Sequence, residues 1–518
     1  MTSAASVRDR GIDAEEGNCA RRSRPWVLAA TILGSSMAFI DGSVVSVALP
    51  AMQADLAAPV SQAQWIVNAY MLLLGALILI GGAAGDRFGR RRAFIIGVIV
   101  FTVASVACGF APNAAALIGA RALQGAGAAL LVPNSLAIIS AAFPANERGR
   151  AIGTWAGASA LTTALGPVLG GWLTDAWSWR AIFFINVPVA ALAVALAIWH
   201  MPESRNTASA GVDWRGGGLA VAGLGGVTYG LTLASEAGWV DPLVLAAVLV
   251  GGAVLAAFVW YEGRCPAPMM PLQLFRDPGF SGANLITLFV YFALGGAMFF
   301  VPFNLIRIQG YSATAAGAAF LPFSLIMGSL SRWSGGLIGR YGARRLLIVG
   351  PLVTALGFVL LAVPGIGGPY WTTFFPPMVL FGFGMAITVA PLTTTVMRGA
   401  EERYAGVASG INNAVARVAG MLAVALLGAI AVGVFARALD ARLDRLQPRA
   451  EVRLALQAEV PKLAEAAVPK NVDRGEQQVL LRALHESFVS SFRVASLIAA
   501  VLAALSAVVA WRTIDRKR

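Results

Sequence analysis

The sequence predicts an all-α membrane protein with fourteen transmembrane helices, and three observations carry that expectation. The 518 residues are 58% hydrophobic and 13% charged, whereas soluble globular chains carry about 25% charged residues. Apolar runs long enough to cross a bilayer as helices, about 20 residues, recur at 26–49, 64–84, 93–112, 114–140, 151–174, 181–201, 216–235, 241–261, 280–302, 314–336, 344–364, 372–396, 405–435 and 486–511. Arginines gather in the short turns after every second run, the bias that marks cytoplasmic loops. A water-soluble enzyme is excluded. The 57 glycines and 25 prolines fit membrane helices, where small residues allow close packing and prolines are tolerated.

In chain order, residues 1–25 are a basic tail, with Arg8, Arg10, Arg21, Arg22 and Arg24. Residues 26–201 hold six spans and 202–264 hold two more. Residues 265–511 hold a further six and 512–518 end the chain. Arg87, Arg90, Arg91 and Arg92 follow span two, Arg148 and Arg150 span four, and Arg205 and Arg215 span six. Arg264 and Arg276 follow span eight, Arg340, Arg344 and Arg345 span ten, and Arg398 and Arg403 span twelve. Arg180 and Arg307 break the alternation. The pattern places both termini in the cytoplasm. Residues 436–485 form a long outer loop of mixed charge, with Leu439, Leu443 and Leu446 at helical spacing, so partly helical structure over the outer surface is expected.

An internal repeat is legible. The Gly82–Arg91 stretch after span two is echoed by Gly336–Arg344 after span ten, and Glu147-Arg148 before span five by Glu402-Arg403 before span thirteen. Both echoes lie eight spans apart, as two six-helix halves separated by two inserted helices require. Repeated halves around a midplane site are the usual build of secondary transporters.

Asp41 lies well inside the first apolar run. An ionised carboxylate at membrane depth costs at least ~2.5–3.5 kcal/mol, so it persists where it faces a polar interior and marks function. The other reading is a carboxylate solvated near the water boundary. Arg121, a permanent cation inside span four, needs an anion, carbonyls or water. Asp41 is its obvious intramembrane partner; a purely structural role, tying carbonyls together, stands beside that reading. In span five, Gly149, Gly153 and Gly157, and then Gly166 and Gly170, recur every fourth residue. That spacing allows close approach to a neighbouring helix, and Pro167 removes a backbone donor and favours a kink. Span thirteen has Gly420 at the matching place, Met421 instead of proline, and Arg417 as a second intramembrane cation.

Six stretches, in order, then resemble motifs of one family. Gly82-Ala-Ala-Gly-Asp86-Arg87-Phe88-Gly89-Arg90-Arg91 resembles the loop motif between helices two and three of the major facilitator superfamily. Arg121-Ala-Leu-Gln124-Gly125 resembles its helix-four motif, and Gly157 with Gly166-Pro167-Val-Leu-Gly170-Gly171 the helix-five motif that marks antiporters. Asp41–Pro50, Trp179–Pro188 and Val212–Gly216 resemble markers of the fourteen-helix drug:proton antiporter group. The resemblance implies the major facilitator fold, two six-helix halves plus two inserted helices. It also implies a role for Arg121 in proton movement. Asp86 can pair with an arginine or a helix amino terminus and so latch one conformer at the cytoplasmic face; simple topological signalling by the arginines is the alternative. The second copy has Gly339 in place of Asp86.

The expected function is proton-coupled export, by antiport, of drug-like or antibiotic-like organic molecules across the plasma membrane. Asp41 and Arg121 are the expected proton-coupling residues. Tyr70, Gln124, Thr162, Asn284, Tyr291, Phe292, Asn412, Asn413 and Arg417 are candidates for the substrate cavity, an aromatic and largely neutral surface that suits planar or lipophilic molecules. Packing or lipid-facing roles are open for each singly. Export of an endogenous metabolite or lipid-like compound, and a non-transporting sensor or scaffold, are the alternatives. The chain has no Gly-x-x-x-x-Gly-Lys-Ser/Thr loop for ATP, so the proton gradient is the expected energy source and no cofactor is expected. Cys19, Cys108 and Cys265 have no metal-ligand spacing. The formal charge of +13 reports topology and not nucleic acid. A monomer surrounded by lipid is expected.

Overall fold

The computed structural model describes residues 23–205, 211–398, 405–469 and 472–514. The rest of the basic tail, Glu402-Arg403 and Arg516–Arg518 lie outside the described residues. The helices are α1 (Arg24–Asp55), α2 (Val60–Phe88), α3 (Arg90–Gly109), α4 (Ala114–Ala142), α5 (Ala145–Ala176), α6 (Ala181–Phe184), α7 (Asn186–His200), α8 (Trp214–Ala237) and α9 (Pro242–Glu262). They continue with α10 (Pro278–Phe303), α11 (Ala313–Ala318), α12 (Leu321–Tyr341), α13 (Ala343–Leu361), α14 (Tyr370–Thr373), α15 (Phe375–Arg398), α16 (Ala405–Leu446), α17 (Ala450–Ala458) and α18 (Arg474–Thr513). A π-helical segment, Asn304–Ile308, extends α10. No strand occurs among the described residues.

Thirteen of the described helical segments are long and apolar enough to cross a membrane. The fifth expected span, α5, has 32 residues but is not among them; its Gly, Ser and Thr content dilutes its apolarity. The count of fourteen is therefore met in length and met by thirteen in apolarity. Helix starts follow capping chemistry. Asn113, Asp213, Asp241, Asp277, Ser312 and Asp473 each accept a bond from a backbone N–H in the first turn. Pro242 and Pro278 occupy first-turn positions where no donor is needed.

The packing repeats. α1 packs on α5 and α7, α2 on α4, and α3 on α4 and α7. In the same way α10 packs on α16 and α18, α12 on α15, and α13 on α15 and α18. The two sets meet where α2 lies along α16 and where α5 lies along α11 and α12. α8 pairs with α9 and also packs on α2 and α16, along the first of those seams. The repeat extends to the tight turns, where Gly89 (φ 116°) and Gly342 (φ 75°) cap α3 and α13 in a backbone conformation that glycine takes without strain.

The loop expected over 436–485 is shorter than those bounds. α16 continues to Leu446 and α18 begins at Arg474, so helix covers much of it. Leu439 and Leu443 are buried, which is why the helix runs on, while Leu446 is exposed. Both cations that break the arginine alternation have acids beside them: Arg180 with Asp55 at 2.7 Å, and Arg307 with Glu465.

Candidate functional site

Asp41 on α1 and Arg121 on α4 meet in a site where both side chains are fully buried. The Arg121 guanidinium donates to the Asp41 carboxylate, to Gln124 Oε1 at 2.7 Å and, through Nε, to the Ile66 carbonyl at 3.0 Å. Gln124 Nε2 donates to the other Asp41 oxygen at 2.8 Å. The Tyr70 ring lies under the guanidinium, 4.4 Å from its centroid, and the Tyr70 hydroxyl donates to the Ala38 carbonyl at 3.3 Å. A second layer extends to α3 and α7. Gln124 Nε2 lies 3.4 Å from Ser105 Oγ, Asn186 Nδ2 donates to Ser105 at 2.9 Å, and Ser105 donates to the Phe183 carbonyl at 2.9 Å.

Local sequence lets the helices close on this site. Gly125 lies against the Tyr70 carbonyl and Gly127 against the Phe101 backbone; an added Cβ at these positions would stand 2.4 and 2.6 Å from those atoms. Such a buried cation–carboxylate pair is stable only with every charge matched and hydrogen-bonded. Neutralising Asp41 would leave Arg121 with an uncompensated buried charge.

A cavity of about 1450 Å³ opens at the Arg-rich end of the bundle. Phe39, Trp155, Asn413 and Arg417 line its body, and Asp86 and Arg90 its mouth. The opposite end is shut where α5 meets α11. There, a Cβ on Gly317 would stand 2.0 Å from the Pro167 carbonyl oxygen, and one on Gly171 2.2 Å from that of Ala313. Asp175 accepts from the Ala313 and Thr314 backbone N–H groups at 3.2 and 2.7 Å and from the Thr314 hydroxyl at 2.6 Å.

The residues singled out from sequence fall into separate places. Tyr70 and Gln124 belong to the buried network with Asp41 and Arg121, while Asn413 and Arg417 line the cavity. Asn412 donates to Asn284 at 3.2 Å and to Thr287 at 2.6 Å. Thr162 donates to carbonyls of its own helix. Tyr291 and Phe292 are half-buried against apolar clusters.

Asp86 pairs with Arg90 of the next helix at 2.8 Å. Beside them the Arg91 guanidinium donates to the Met201 carbonyl at 3.0 Å, and the Arg90 N–H donates to the Ser204 carbonyl at 3.0 Å. All these bonds lie within residues 86–204, so the turn is tied to the segment after α7 and not across the seam. Arg87 is exposed, with its guanidinium 5.7 Å from the Phe88 ring centroid. A Cβ added at Gly82 would stand 3.6 Å from Pro133. In α5, Gly166 and Gly170 pack on Ser43 and Val44 of α1, as the spacing suggests. Gly153 and Gly157 do not: nothing lies within 4 Å of a Cβ at either place, because both are exposed, facing away from the Ala151–Trp155 side by which that half of α5 packs on α1 and α4.

Sequence reading missed Ser105 and Asp175 as site residues. It also missed the carboxylates of Asp213 and Glu262, which are buried and line the cavity mouth, with Asp213 Oδ2 and Glu262 Oε1 unpartnered. Glu262 directly follows the apolar run 241–261, where an acid reads as a boundary.

Two similarly packed helical sets around a cavity open at one end, with a buried ion pair in one set, define a multi-pass membrane carrier. The chain belongs to the Major Facilitator Superfamily, whose sequence profile matches residues 31–424. It is 34% identical over 513 residues to the multidrug resistance protein Stp of Mycobacterium tuberculosis, spanning 96% of this chain and 93% of that one. It is 33% identical to the tetracenomycin C resistance and export protein of Streptomyces glaucescens (94% and 91%) and 35% identical to the puromycin resistance protein of Streptomyces alboniger (79% and 82%). Its fold is similar to a bacterial homologue of the human lysosomal transporter Spinster in an inward-facing, unoccupied conformation, with TM-score 0.68, 16% identity, and 96% and 99% of the two chains covered.

Proposed function

We propose that this chain exports drug-like or antibiotic-like organic molecules across the plasma membrane in exchange for protons. The observation that carries the reading is the buried Asp41–Arg121–Gln124 network beside a cavity open at one end. The names of the relatives, which are drug and antibiotic resistance proteins, support the substrate class. The Arg-rich end faces the cytoplasm, with both termini, by the positive-inside rule, so the cavity loads from inside. A proton arriving from outside neutralises Asp41 and frees Arg121 from its anion. The halves then shift, and substrate leaves outward. Deprotonation toward the cytoplasm restores the pair. The proton gradient drives the cycle without a bound cofactor.

The test uses reconstituted vesicles with an imposed proton gradient, an internal pH dye and a panel of lipophilic dyes and antibiotics. Substrate-triggered proton movement is expected in the wild type and not in Asp41→Asn. Full proton-coupled export by Asp41→Asn sinks the reading.

A further inference from the structure

α8 lies antiparallel along α2 in one continuous register. Ile80 packs on Gly217, Leu72 packs on Gly225, where an added Cβ would stand 3.5 Å from Leu72 Cδ2, and the Ser61 hydroxyl donates to the Glu236 carboxylate. That register sets Thr232 within one residue of the level of Gln64 and Thr228 within one residue of the level of Asn68. α16 closes the third side. Gly428 gives Gln64 its room, since a Cβ there would stand 1.3 Å from Gln64 Nε2, and Ala429 packs with Leu233, Ala234 and Val244.

All four of these side chains are fully buried, at 0–1% exposure, and none has a hydrogen-bond partner. Both polar atoms of Gln64, both of Asn68, and the hydroxyls of Thr228 and Thr232 are unmatched. Threonine in a membrane helix ordinarily donates to the carbonyl one turn back, and Thr31, Thr102, Thr162, Thr287 and Thr354 do so here. Thr228 and Thr232 do not. Six unmatched polar atoms in one buried stripe are what ordered water satisfies. Glu236, exposed at one end of the stripe, opens it to the surface. At the other end one apolar layer, Leu72 on Gly225, precedes the turn of α2 where Gly75 packs on Arg417, a residue lining the central cavity.

We propose that the α2–α8–α16 junction is a hydrated path that takes water, and with it protons, from the surface at Glu236 inward to the level of Leu72. It gives the inserted helix α8 a task that a twelve-helix bundle would lack, one wall of a proton entry route. The proton cargo rests on the antiport reading above; the hydration does not.

Two experiments test it. Thr232→Cys and Asn68→Cys, in the full chain in vesicles, are treated from the Glu236 side with a membrane-impermeant methanethiosulfonate, with the wild type as blank. Leu249→Cys, on the exposed face of α9, is the lipid-facing control. Because the reagent needs a thiolate in water, the seam cysteines should react at least about tenfold faster than the control. Equal rates overturn the proposal. The second variant, Gln64→Leu with Asn68→Leu, dries the path. Leucine removes each amide together with the water it holds, and replacing both partners of a hydrogen bond by apolar groups of the same shape is nearly neutral or stabilising, so its melting temperature should not fall. Substrate binding should persist and substrate-triggered proton movement should drop at least about tenfold, short of the ~10²–10⁴-fold that losing a proton-transferring side chain itself costs, because the amides hold water and do not carry the proton. Undiminished proton movement, or a lowered melting temperature, overturns the path. A wild type with no substrate-triggered proton movement counts against the antiport reading and leaves the labelling result standing.

Discussion

Arg121 carries five N–H donors, and acceptors from three helices meet them: Asp41, the Ile66 carbonyl and Gln124. A lysine offers a point charge without that fork, so Arg121→Lys should lose substrate-triggered proton movement even though the charge remains, as the vesicle assay reads directly. Removing one partner of a buried pair leaves the other uncompensated, which costs about 3–5 kcal/mol. Asp41→Asn should therefore lower the melting temperature, and Asp41→Asn with Arg121→Gln should recover much of it while transport stays uncoupled. If the double variant melts no higher than Asp41→Asn alone, the pair is not the source of the cost. At this scale the sequence showed the charges and not their surroundings. Asp41 and Arg121 are legible because ions stand out in apolar runs. Ser105 is an ordinary residue there and Tyr70 stands out only as a cavity candidate, and the packing of α2 and α3 on α4 is what makes them partners of the buried pair.

α5 shows both what spacing predicts and where it stops. Its glycines at 166, 170 and 171 pack closely, whereas Gly153 and Gly157 stand free, because a four-residue repeat gives a face but not the conformer in which that face is covered. The closed end is the sensitive part. Gly317→Ala sets a Cβ 2.0 Å from the Pro167 carbonyl oxygen, so it should force α5 and α11 apart. Spin labels at Thr174 and Thr314 should then report a longer distance than in the otherwise wild-type chain; an unchanged distance would mean the backbones are not in contact there. The segment Val460–Glu465 behaves differently. Burial raises the Glu465 carboxyl above its ordinary value, against the opposing pull of Arg307. A raised pKa means the docked segment holds its proton more tightly than the free one. Docking is then strongest below the ordinary carboxylate range and weakens as pH rises through the shifted value. Hydrogen exchange at residues 460–468, corrected for intrinsic rates, should show more protection at acid pH, and Glu465→Gln should flatten that dependence.

For the whole molecule, the repeat was legible because turn motifs recur with the same spacing, and the mirrored packing of α1–α7 and α10–α18 shows why it does. The position of α8 against both α2 and α16 was not legible, since hydropathy gives spans and says nothing of neighbours. This arrangement makes a prediction about motion. The two sets touch along two seams, α2 with α16 and α5 with α11 and α12. The α5 seam holds one end shut through Gly171, Gly317 and Asp175, while the other end stands open around Asp86 and Met397. If each set moves as a body, opening one end must close the other. Labels at Phe88 and Met397, both exposed, should approach one another under the same conditions that part labels at Thr174 and Thr314. Acidification or added substrate, read by pulsed electron resonance in nanodiscs, should shift both distance distributions together in opposite senses. A carrier with independent local gates would change one distance and leave the other. That result would locate the moving part in α5 alone, where Pro167 and the free Gly153 and Gly157 already allow a bend.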